Sequence, residues 1–317
     1  MDLLQSIEAF VRVAETESVA SAARQLGVAK SVVTTRVKQL EEHFGASLFH
    51  RSTRAFKLSD VGQRYYRDCN DILARVGALN ELSEQEQGGL KGTLRIQVLP
   101  GFGIGHFSKA VVDFRNQHPR IEFDVVVNDR VVDPVQEGFD LVIQIYPPAS
   151  NSLIERRLFP VRGLFCAAPD YLAEEPPIET PLDLLRHDFA RYAYYPWGDK
   201  WPLTGASERF EISLSPVLKT NSVHLLLEFA RAGAGVAYLP TMVAAPDLLE
   251  RRLAHVLPQY AAPPLWLSVV YPASHRSTAR VKLFIDFLRM RFPTEPQWDK
   301  ALGLPPLELG HEDDTLA

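Results

Sequence analysis

Residues 18–41 read SVASAARQLGVAKSVVTTRVKQLE, and this stretch decides the fold of the N-terminal part of the chain. Apolar residues recur at three- and four-residue spacing on both sides of Gly27, which predicts two short helices that each bury one face. Gly27 permits the tight turn between them, because glycine adopts positive φ without a Cβ clash. In the second helix, Val33, Val37 and Leu40 form the buried face. The side chains left toward solvent are Lys30, Ser31, Thr34, Thr35, Arg36 and Lys38.

This helix pair predicts a helix-turn-helix, whose second helix presents hydrogen-bond donors to the major groove of DNA. The alternative is an ordinary helical hairpin with a solvated charged face. The next segment favours DNA binding, because a basic turn and the alternating Phe56 and Leu58 predict a two-stranded wing. Residues 28–57 carry six Lys or Arg against two Glu, within a chain of net charge −5. Such a local basic patch is typical of a DNA-binding surface. The wing residues expected at the phosphate backbone are Arg51, Thr53, Arg54 and Lys57.

The same segment resembles the LysR-type transcriptional regulator family, and the resemblance extends to about residue 292. It rests on residues 3–15, which are similar to that family's opening helix, and on three further groups: Ser18…Ala22-Ala23…Leu26-Gly27-Val28, Leu40-Glu41-Glu42…Gly45…Leu48-Phe49…Arg51…Arg54, and Leu58-Ser59-Asp60…Gly62. Two places differ. Ala29-Lys30-Ser31 stands where the family usually has Ser-Gln-Pro, and Thr34-Thr35 stands where it usually has Ser-Arg. These differences concern the bases that are read rather than the fold.

Composition bounds the remaining possibilities. A chain of 317 residues is long enough for two or three domains. It has no run of eighteen apolar residues and no N-terminal pattern of a secretory signal, so we expect neither a membrane span nor export. The two cysteines, Cys69 and Cys166, stand 97 residues apart and predict neither a disulfide framework nor a zinc site. The expectation is a cytoplasmic protein without metal or cofactor.

A long polar helix is predicted from residue 61 to 86. Small or apolar residues recur there at alternating four- and three-residue spacing, the pattern of a coiled-coil seam. The seam consists of Tyr65, Cys69, Ile72, Val76, Leu79 and Ser83, and the residues assigned to dimerisation are Tyr65, Ile72, Val76 and Leu79. The alternative is a helix that packs on its own domain. Gly88-Gly89 then predicts a hinge. The resemblance implies a homodimer, and commonly a homotetramer.

From residue 90 onward, strands alternate with helices, which predicts an α/β fold with a parallel sheet. The resemblance implies two α/β subdomains with a cleft between them, similar to periplasmic solute-binding proteins. The complete expectation is an α/β multidomain chain. Its divisions are a winged helix-turn-helix (residues 1–60, reader helices about 18–41), a linker helix (61–89), an effector domain (90–292) and a loose tail (293–317). Within the effector domain, subdomain I spans 90–161 and 266–292, and subdomain II spans 162–265.

An effector site is expected between the subdomains, at the carboxyl ends of the strands. The glycine-rich loop 100–106 offers backbone N–H groups that suit an anion. By position, the resemblance implies the effector-binding residues Gly101, Phe102, Gly103, Gln144, Arg162, Thr220 and Asn221. Gln144 stands where many relatives carry arginine, which favours a less charged effector, unless it is simply a polar residue at a strand end. An aromatic cluster either lines the cleft or packs on a subdomain surface: Tyr194, Tyr195, Trp197 and Trp201.

The expected function is that of a ligand-responsive transcriptional regulator that reads a two-fold-related promoter site. Its expected partners are double-stranded DNA, a small-molecule effector, further copies of itself and RNA polymerase, without a membrane. A competing hypothesis is a nicotinamide-dependent oxidoreductase, because Gly101, Gly103 and Gly105 follow a strand. The third glycine is one residue too early for GxGxxG, and no other catalytic motif is present, so we expect no enzyme. A solute-binding module without gene control and a nucleoid-coating protein are two further hypotheses. The N-terminal helix-turn-helix argues against the first, and the single basic domain and the sensor domain argue against the second.

Overall fold

A computed structural model describes residues 1–50, 57–86, 90–148, 150, 153–273 and 278–307 of the chain. The predicted wing residues Arg51, Thr53 and Arg54, and the predicted hinge Gly88-Gly89, lie outside the described residues. The N-terminal domain begins with three helices: α1 (Leu3–Thr16), α2 (Val19–Gln25) and α3 (Lys30–Phe44). Asp2 caps α1 by accepting a hydrogen bond from the Gln5 backbone at 3.1 Å.

The helix-turn-helix expected from residues 18–41 is present. Ser18 caps α2 through the backbone N–H of Ser21, and Gly27 adopts φ +64° in the turn before α3. Phe10 of α1 packs with Val33 and Leu40 of α3, and all three side chains are fully buried. The wing is represented by an antiparallel bridge between Phe49 and Leu58. These side chains form one small core, which fixes the orientation of α3 relative to α1.

The linker helix α4 spans Asp60–Glu86, and the two interpretations of its seam apply to different halves of the helix. Cys69 is buried in the core of the N-terminal domain, and the Tyr65 ring stacks on Phe44 with centroids 4.3 Å apart. The first half of the seam thus packs on its own domain, because these side chains face α1 and α3. Ile72 and Leu79, further along, are 43% and 65% exposed.

The effector part contains two five-stranded sheets, each with its own helices. Lobe I has the strands β1 (Gly92–Val98), β2 (Ile121–Val127), β3 (Leu141–Gln144), β4 (Leu153–Val161) and β12 (Leu265–Pro272). Their order is β2-β1-β3-β12-β4. β1 is parallel to β2 and β3, whereas β12 is antiparallel to β3 and β4. The sheet is therefore mixed rather than wholly parallel, because β12 returns from the second lobe. The α-helices of lobe I are α5 (Pro100–Phe102), α6 (Ser108–Gln117), α7 (Pro134–Glu137) and α11 (Ala279–Arg291), and a π-helical turn at Gly103–Phe107 joins α5 to α6.

Lobe II has the strands β5 (Gly163–Ala167), β6 (Phe189–Tyr192), β9 (Leu218–Thr220), β10 (Val236–Pro240) and β11 (Ala254–Val256). Their order is β11-β5-β10-β6-β9. A separate antiparallel hairpin consists of β7 (Lys200–Thr204) and β8 (Arg209–Ser213). The helices are α8 (Pro169–Glu174), α9 (Val223–Arg231) and α10 (Thr241–Leu249). The chain crosses from lobe I to lobe II at Arg162, between β4 and β5, and returns before Leu265.

The segment 293–307 is not the loose tail that its composition predicts. It forms helix α12 (Gln297–Ala301). The Trp298 ring lies 4.3 Å from His106 and 5.4 Å from Phe159, centroid to centroid, and Asp299 is buried. One tryptophan and one buried carboxylate anchor a segment whose many prolines suggested disorder. Residues 308–317 lie outside the described part of the chain.

No helix among the described residues is both long enough and apolar enough to cross a bilayer.

Candidate DNA-binding surface and effector cleft

Helix α3 carries the predicted DNA-reading side chains on the face opposite its core. Five of them are exposed: Lys30, Ser31, Thr34, Thr35 and Lys38. Lys38 lies 3.6 Å from a carboxylate oxygen of Glu42, and the Thr34 hydroxyl donates to the carbonyl of Lys30 at 3.0 Å. The N-cap of α3 is Ala29, which makes no side-chain hydrogen bond, so Ser31 lies inside the first turn and does not cap the helix.

Arg36 differs from the other five because it is half-buried. Its guanidinium donates a hydrogen bond to the side-chain oxygen of Gln5 on α1. Arg36 therefore lies at the edge of the exposed face and is positioned by the opening helix. Lys57 is exposed beside the wing bridge, where its carbonyl accepts a hydrogen bond from the His50 backbone at 2.8 Å.

A narrow cleft lies between the two lobes, and the empty volume of about 550 Å³ around it is mostly open solvent and gaps between atoms rather than enclosed cavity. Its lining is mostly apolar and aromatic, as in many small-molecule sites. Lobe I contributes Leu99, Pro100, Gly101, Asp129, Ile145, Val161 and Leu265. Lobe II and the returning chain contribute Gly163, Tyr192, Tyr195, Trp197, Asn221, Val223, Tyr238, Pro240, Met242 and Pro263.

Side-chain hydrogen bonds join the two lobes across this cleft. Tyr192 of lobe II donates to the carboxylate of Asp129 in lobe I at 2.8 Å. Asn221 of lobe II donates to the other oxygen of the same carboxylate at 3.0 Å. Tyr146 of lobe I donates to the Tyr192 hydroxyl at 2.8 Å. Asp129 thus accepts hydrogen bonds from two separate elements of the opposite lobe.

Both tyrosines of this network remain hydrogen-bond donors at physiological pH. Burial raises the pKa of Tyr146 to about 12. Burial, with further contributions from Tyr146 and Asp129, raises the pKa of Tyr192 well above the ordinary value of a phenol. Neither hydroxyl ionises near neutral pH, so Tyr146 donates to Tyr192 and Tyr192 donates to Asp129 throughout the physiological range.

Two family descriptions match separate parts of the chain. The description "Bacterial regulatory helix-turn-helix protein, lysR family" matches residues 4–63, and "LysR substrate binding domain" matches residues 87–293. The chain belongs to the LysR family. It is a DNA-binding transcriptional regulator with an effector-binding domain.

Relatives of this LysR-type regulator are similar over nearly their whole length. The chain is 32% identical over 292 residues to the uncharacterized HTH-type transcriptional regulator YhjC of Escherichia coli, which covers 91% of this chain and 97% of YhjC. It is 30% identical over 296 residues to the HTH-type transcriptional regulator PtxR of Pseudomonas aeruginosa, with 92% and 94% covered.

Solved LysR-type structures show the same fold. CrgA, a LysR-type transcriptional regulator from Neisseria meningitidis, superposes with a TM-score of 0.59 at 24% identity, over 91% of this chain and 98% of CrgA. The full-length structure of the Vibrio cholerae virulence activator AphB gives 0.57 at 24% identity, over 92% and 99%. At this level of identity, the two similarities show the fold and carry no statement about function.

The residues assigned to effector binding in this LysR-type regulator separate into two groups. Gly101 and Asn221 line the cleft. Phe102 and Gly103 are buried in lobe I, where the Phe102 ring lies 4.9 Å from that of Phe292. The backbone N–H groups of Phe102 and Gly103 donate to the Leu99 carbonyl at 3.3 and 2.9 Å. These two N–H groups of the predicted anion-binding loop are therefore already engaged.

Gln144, Thr220 and Arg162 also lie outside the cleft lining. The Gln144 amide donates to the carbonyls of Tyr146 and Pro147 at 2.9 and 3.3 Å, and so shapes the loop after β3. The Thr220 hydroxyl accepts from the Ser222 backbone at 3.1 Å, at the entry to α9. Arg162 faces the C-terminal segment 293–307: its Nε lies 3.3 Å from Oδ2 of Asp299, and it donates to the carbonyl of Pro305.

The aromatic cluster serves both roles that its sequence left open. Tyr195 and Trp197 line the cleft, and their rings stack with centroids 5.4 Å apart and planes 10° apart. Trp201 is fully buried in the core of lobe II, and Tyr194 is about half-exposed. Asp129 and Tyr192 were missed as site residues. The available signal was an acidic residue just after β2, at the carboxyl end of a parallel strand.

Proposed function

We propose that the protein binds a two-fold-related promoter site as a homodimer and changes that binding when a small molecule enters the cleft between its lobes. The observation that carries the proposal is the set of side-chain hydrogen bonds that Asp129 accepts from Tyr192 and Asn221 across an otherwise apolar cleft. A ligand that fits between the lobes must rearrange or reinforce these bonds. It can act only through different affinities for the two arrangements of the lobes.

Reading of DNA is assigned to α3 and the wing. The exposed residues of α3 lie in the major groove, with Arg36 at the edge of the contact. Lys57 lies at the phosphate backbone, together with the wing residues outside the described ranges. The full set is Lys30, Ser31, Thr34, Thr35, Arg36, Lys38, Arg51, Thr53, Arg54 and Lys57.

Dimerisation is assigned to α4. Ile72, Val76 and Leu79 continue the seam beyond the part that the N-terminal domain covers, and Ile72 and Leu79 are exposed. Tyr65 contributes indirectly, because its ring supports the base of the helix through Phe44. A dimer places two recognition helices on two half-sites. Pairing of dimers into a tetramer, as is common in the family, is part of the proposal.

The chain is divided into a DNA-binding domain (1–60), a linker helix (61–89) and an effector domain (90–292), with lobe boundaries near residues 161 and 265. We further propose that the regulator acts in the cytoplasm, where its DNA lies, contacts RNA polymerase, and carries out no catalysis. Neither a cofactor nor a resident metal is part of the proposed mechanism.

Selection of genomic DNA fragments by the purified full chain tests the proposal. The experiment is run at physiological salt with and without total cell metabolites, since salt alone changes the affinity of every DNA-binding protein. The expected result is a few enriched promoter sites with a two-fold-related motif, whose recovery changes when metabolites are added. Uniform recovery of all fragments would point to a general DNA coat. Recovery that does not change with metabolites would contradict the proposal that a small molecule regulates DNA binding.

A further inference from the structure

The cleft contains one charged side chain and no cationic one among the described residues. Its lining has Asp129 but no lysine, arginine or histidine. Asp129 is only 5% exposed, and its two described partners, Tyr192 and Asn221, are neutral. A buried carboxylate without an opposite charge is costly. The cleft therefore contains a negative charge that no cationic side chain of its lining neutralises.

The nearest arginines by position do not supply that charge. Arg162 at the crossover is paired with Asp299. Arg191, next to Tyr192 on β6, is buried and paired with Asp199. The side chain of Arg130 is exposed and does not line the cleft.

The N-terminus of α9 does not restore a preference for anions. An anion near a helix N-terminus is favoured by the exposed N–H groups and the helix dipole. Here Asn221, just before the Ser222 cap of α9, holds the carboxylate of Asp129 at that end. The protein's own anion is therefore bonded one residue before the cap of α9, and it would repel a second negative charge placed beside it.

The rest of the lining suits an organic cation. A carboxylate has about four acceptor positions, and each oxygen of Asp129 receives one described hydrogen bond, from Tyr192 or Asn221. Tyr195, Trp197 and Tyr238 add aromatic faces to the same cavity, with Tyr195 centred 5.4 Å from both other rings. Aromatic faces attract ammonium groups and also pack against apolar bodies.

We propose that the effector is a small organic cation, whose ammonium group binds the carboxylate of Asp129 and whose apolar or aromatic body lies against Tyr195 and Trp197. This inference rests on the proposed function, since it names the chemical class of the ligand for the same cleft. It reverses the expectation of an anion that the glycine-rich loop suggested.

Three probes of similar size and different charge test the class of ligand on the full chain: phenethylamine as the cation, phenethyl alcohol as the neutral compound and phenylacetate as the anion. Binding is followed at neutral pH through the fluorescence of the tryptophans and through the shift of Tm. We expect phenethylamine to bind more tightly than the other two. Tighter binding of phenylacetate, equal binding of all three, or no binding at millimolar concentration would overturn the inference without any variant.

A variant locates the charge that is recognised. Asp129→Asn should weaken phenethylamine binding by about tenfold or more, the value of one charge-assisted hydrogen bond, and leave phenethyl alcohol nearly unchanged. Asp124→Asn is the matched control, because it makes the same charge change on an exposed carboxylate of β2 that pairs with Arg95. An equal loss in both variants would show only a long-range effect of net charge and would overturn the contact with Asp129.

DNA binding is measured in the same samples. This measurement distinguishes a failure of the proposed ligand class from a failure of the proposed regulatory function. If phenethylamine binds through Asp129 but leaves promoter binding unchanged, the class of ligand stands and the regulatory coupling is wrong. If phenylacetate binds and changes promoter binding, the regulatory function stands and the cation is wrong.

Discussion

Arg162, at the crossover between the lobes, lies 3.3 Å from Asp299 on the C-terminal helix α12. Both side chains are largely buried, and Thr241 at the start of α10 donates its backbone N–H to the Arg162 carbonyl at 2.8 Å. Burial raises the pKa of Asp299, while Thr241 and Arg162 oppose that rise. The crossover is thus tied to both lobe II and the C-terminal segment, and the described contacts of the Arg162 side chain are with that segment.

Removing the charge of Asp299 should destabilise the effector domain. Asp299→Asn leaves Arg162 without its carboxylate, and the free energy of unfolding should fall by about 1.5–3 kcal/mol. Urea unfolding followed by fluorescence measures it. Glu295→Gln is the control, because Glu295 forms an exposed pair with Lys300 at 3.1 Å on the same segment and should cost less than about 1 kcal/mol. A cost for Asp299→Asn no larger than that of the control would contradict the assignment.

The hydroxyl of Tyr192 should contribute measurably to the contact between the lobes. Tyr192→Phe removes one donor from Asp129 and the acceptor of Tyr146, and we expect a loss of about 1–3 kcal/mol in the free energy of unfolding. Tyr194→Phe, two residues along and 49% exposed, should stay within about 0.5 kcal/mol of the parent. Equal, small effects in the two variants would mean that the bonds across the cleft contribute little.

Arg36→Ala should weaken specific DNA binding by about 1–3 kcal/mol and relax the sequence preference, if the guanidinium reads a base edge. Gln5→Ala should give a smaller loss, because Arg36 remains but is no longer held by α1. Lys109→Ala serves as the control, since this exposed residue lies on α6 of lobe I. Titrations of promoter DNA at several salt concentrations provide the measurement. An unchanged affinity and salt slope for Arg36→Ala would exclude it from the interface.

Leu79→Lys should separate the proposed dimer. Because each subunit contributes one Leu79, the free energy of dimerisation should become less favourable by at least about 3 kcal/mol. Sedimentation equilibrium of the full chain shows the change as a shift toward monomer, with weaker binding of a two-half-site DNA. Met290→Lys is the matched control on α11, at a residue that is 79% exposed. Retention of the parent's mass by Leu79→Lys would move the dimer interface elsewhere.

His106 should make the effector domain less stable in mild acid. Burial lowers the pKa of His106 below 6.5, so the unfolded chain binds a proton at a higher pH than the native protein does. The free energy of unfolding therefore decreases as the pH falls through that value. His106→Gln keeps a donor for the Met242 carbonyl, which His106 contacts at 2.9 Å, but does not titrate.

The measurement for His106 is urea unfolding at about pH 7.5 and about pH 5.5, the range around the ordinary histidine pKa. We expect the difference in stability between His106→Gln and the parent to shift in favour of the variant at the lower pH. The subtraction removes the contributions of other groups, including Asp299. Identical pH dependence of the two proteins would show that the burial of His106 has no effect on its titration.

The N-terminal domain could be predicted closely because its signals are local. The turn at Gly27 and the apolar spacing in α3 both act within a few residues. The cleft could not be predicted in the same way. Asp129 meets Tyr192 and Asn221 across 63 and 92 residues of chain, and only the relative placement of two sheets brings them together.

Position along the chain proved a poor guide to side-chain direction. Phe102 and Gln144 stand where the family resemblance suggested ligand contacts, yet the Phe102 ring points into the lobe I core and the Gln144 amide bonds its own loop. Successive side chains point to opposite faces of a strand and about 100° apart around a helix, so a one-residue difference can exchange a lining residue for a core residue. Gly101, by contrast, contributes to the cleft through its backbone.

The packing of α12 also bears on how the regulatory half should be produced by itself. The family match ends at residue 293, and a gene fragment cut there would lack Trp298 and Asp299. The rings of Phe159 and His106 would then face water, and Arg162 would lose its counter-charge at the crossover between the lobes. A recombinant effector domain should therefore extend to at least residue 307, beyond the boundary that homology suggests.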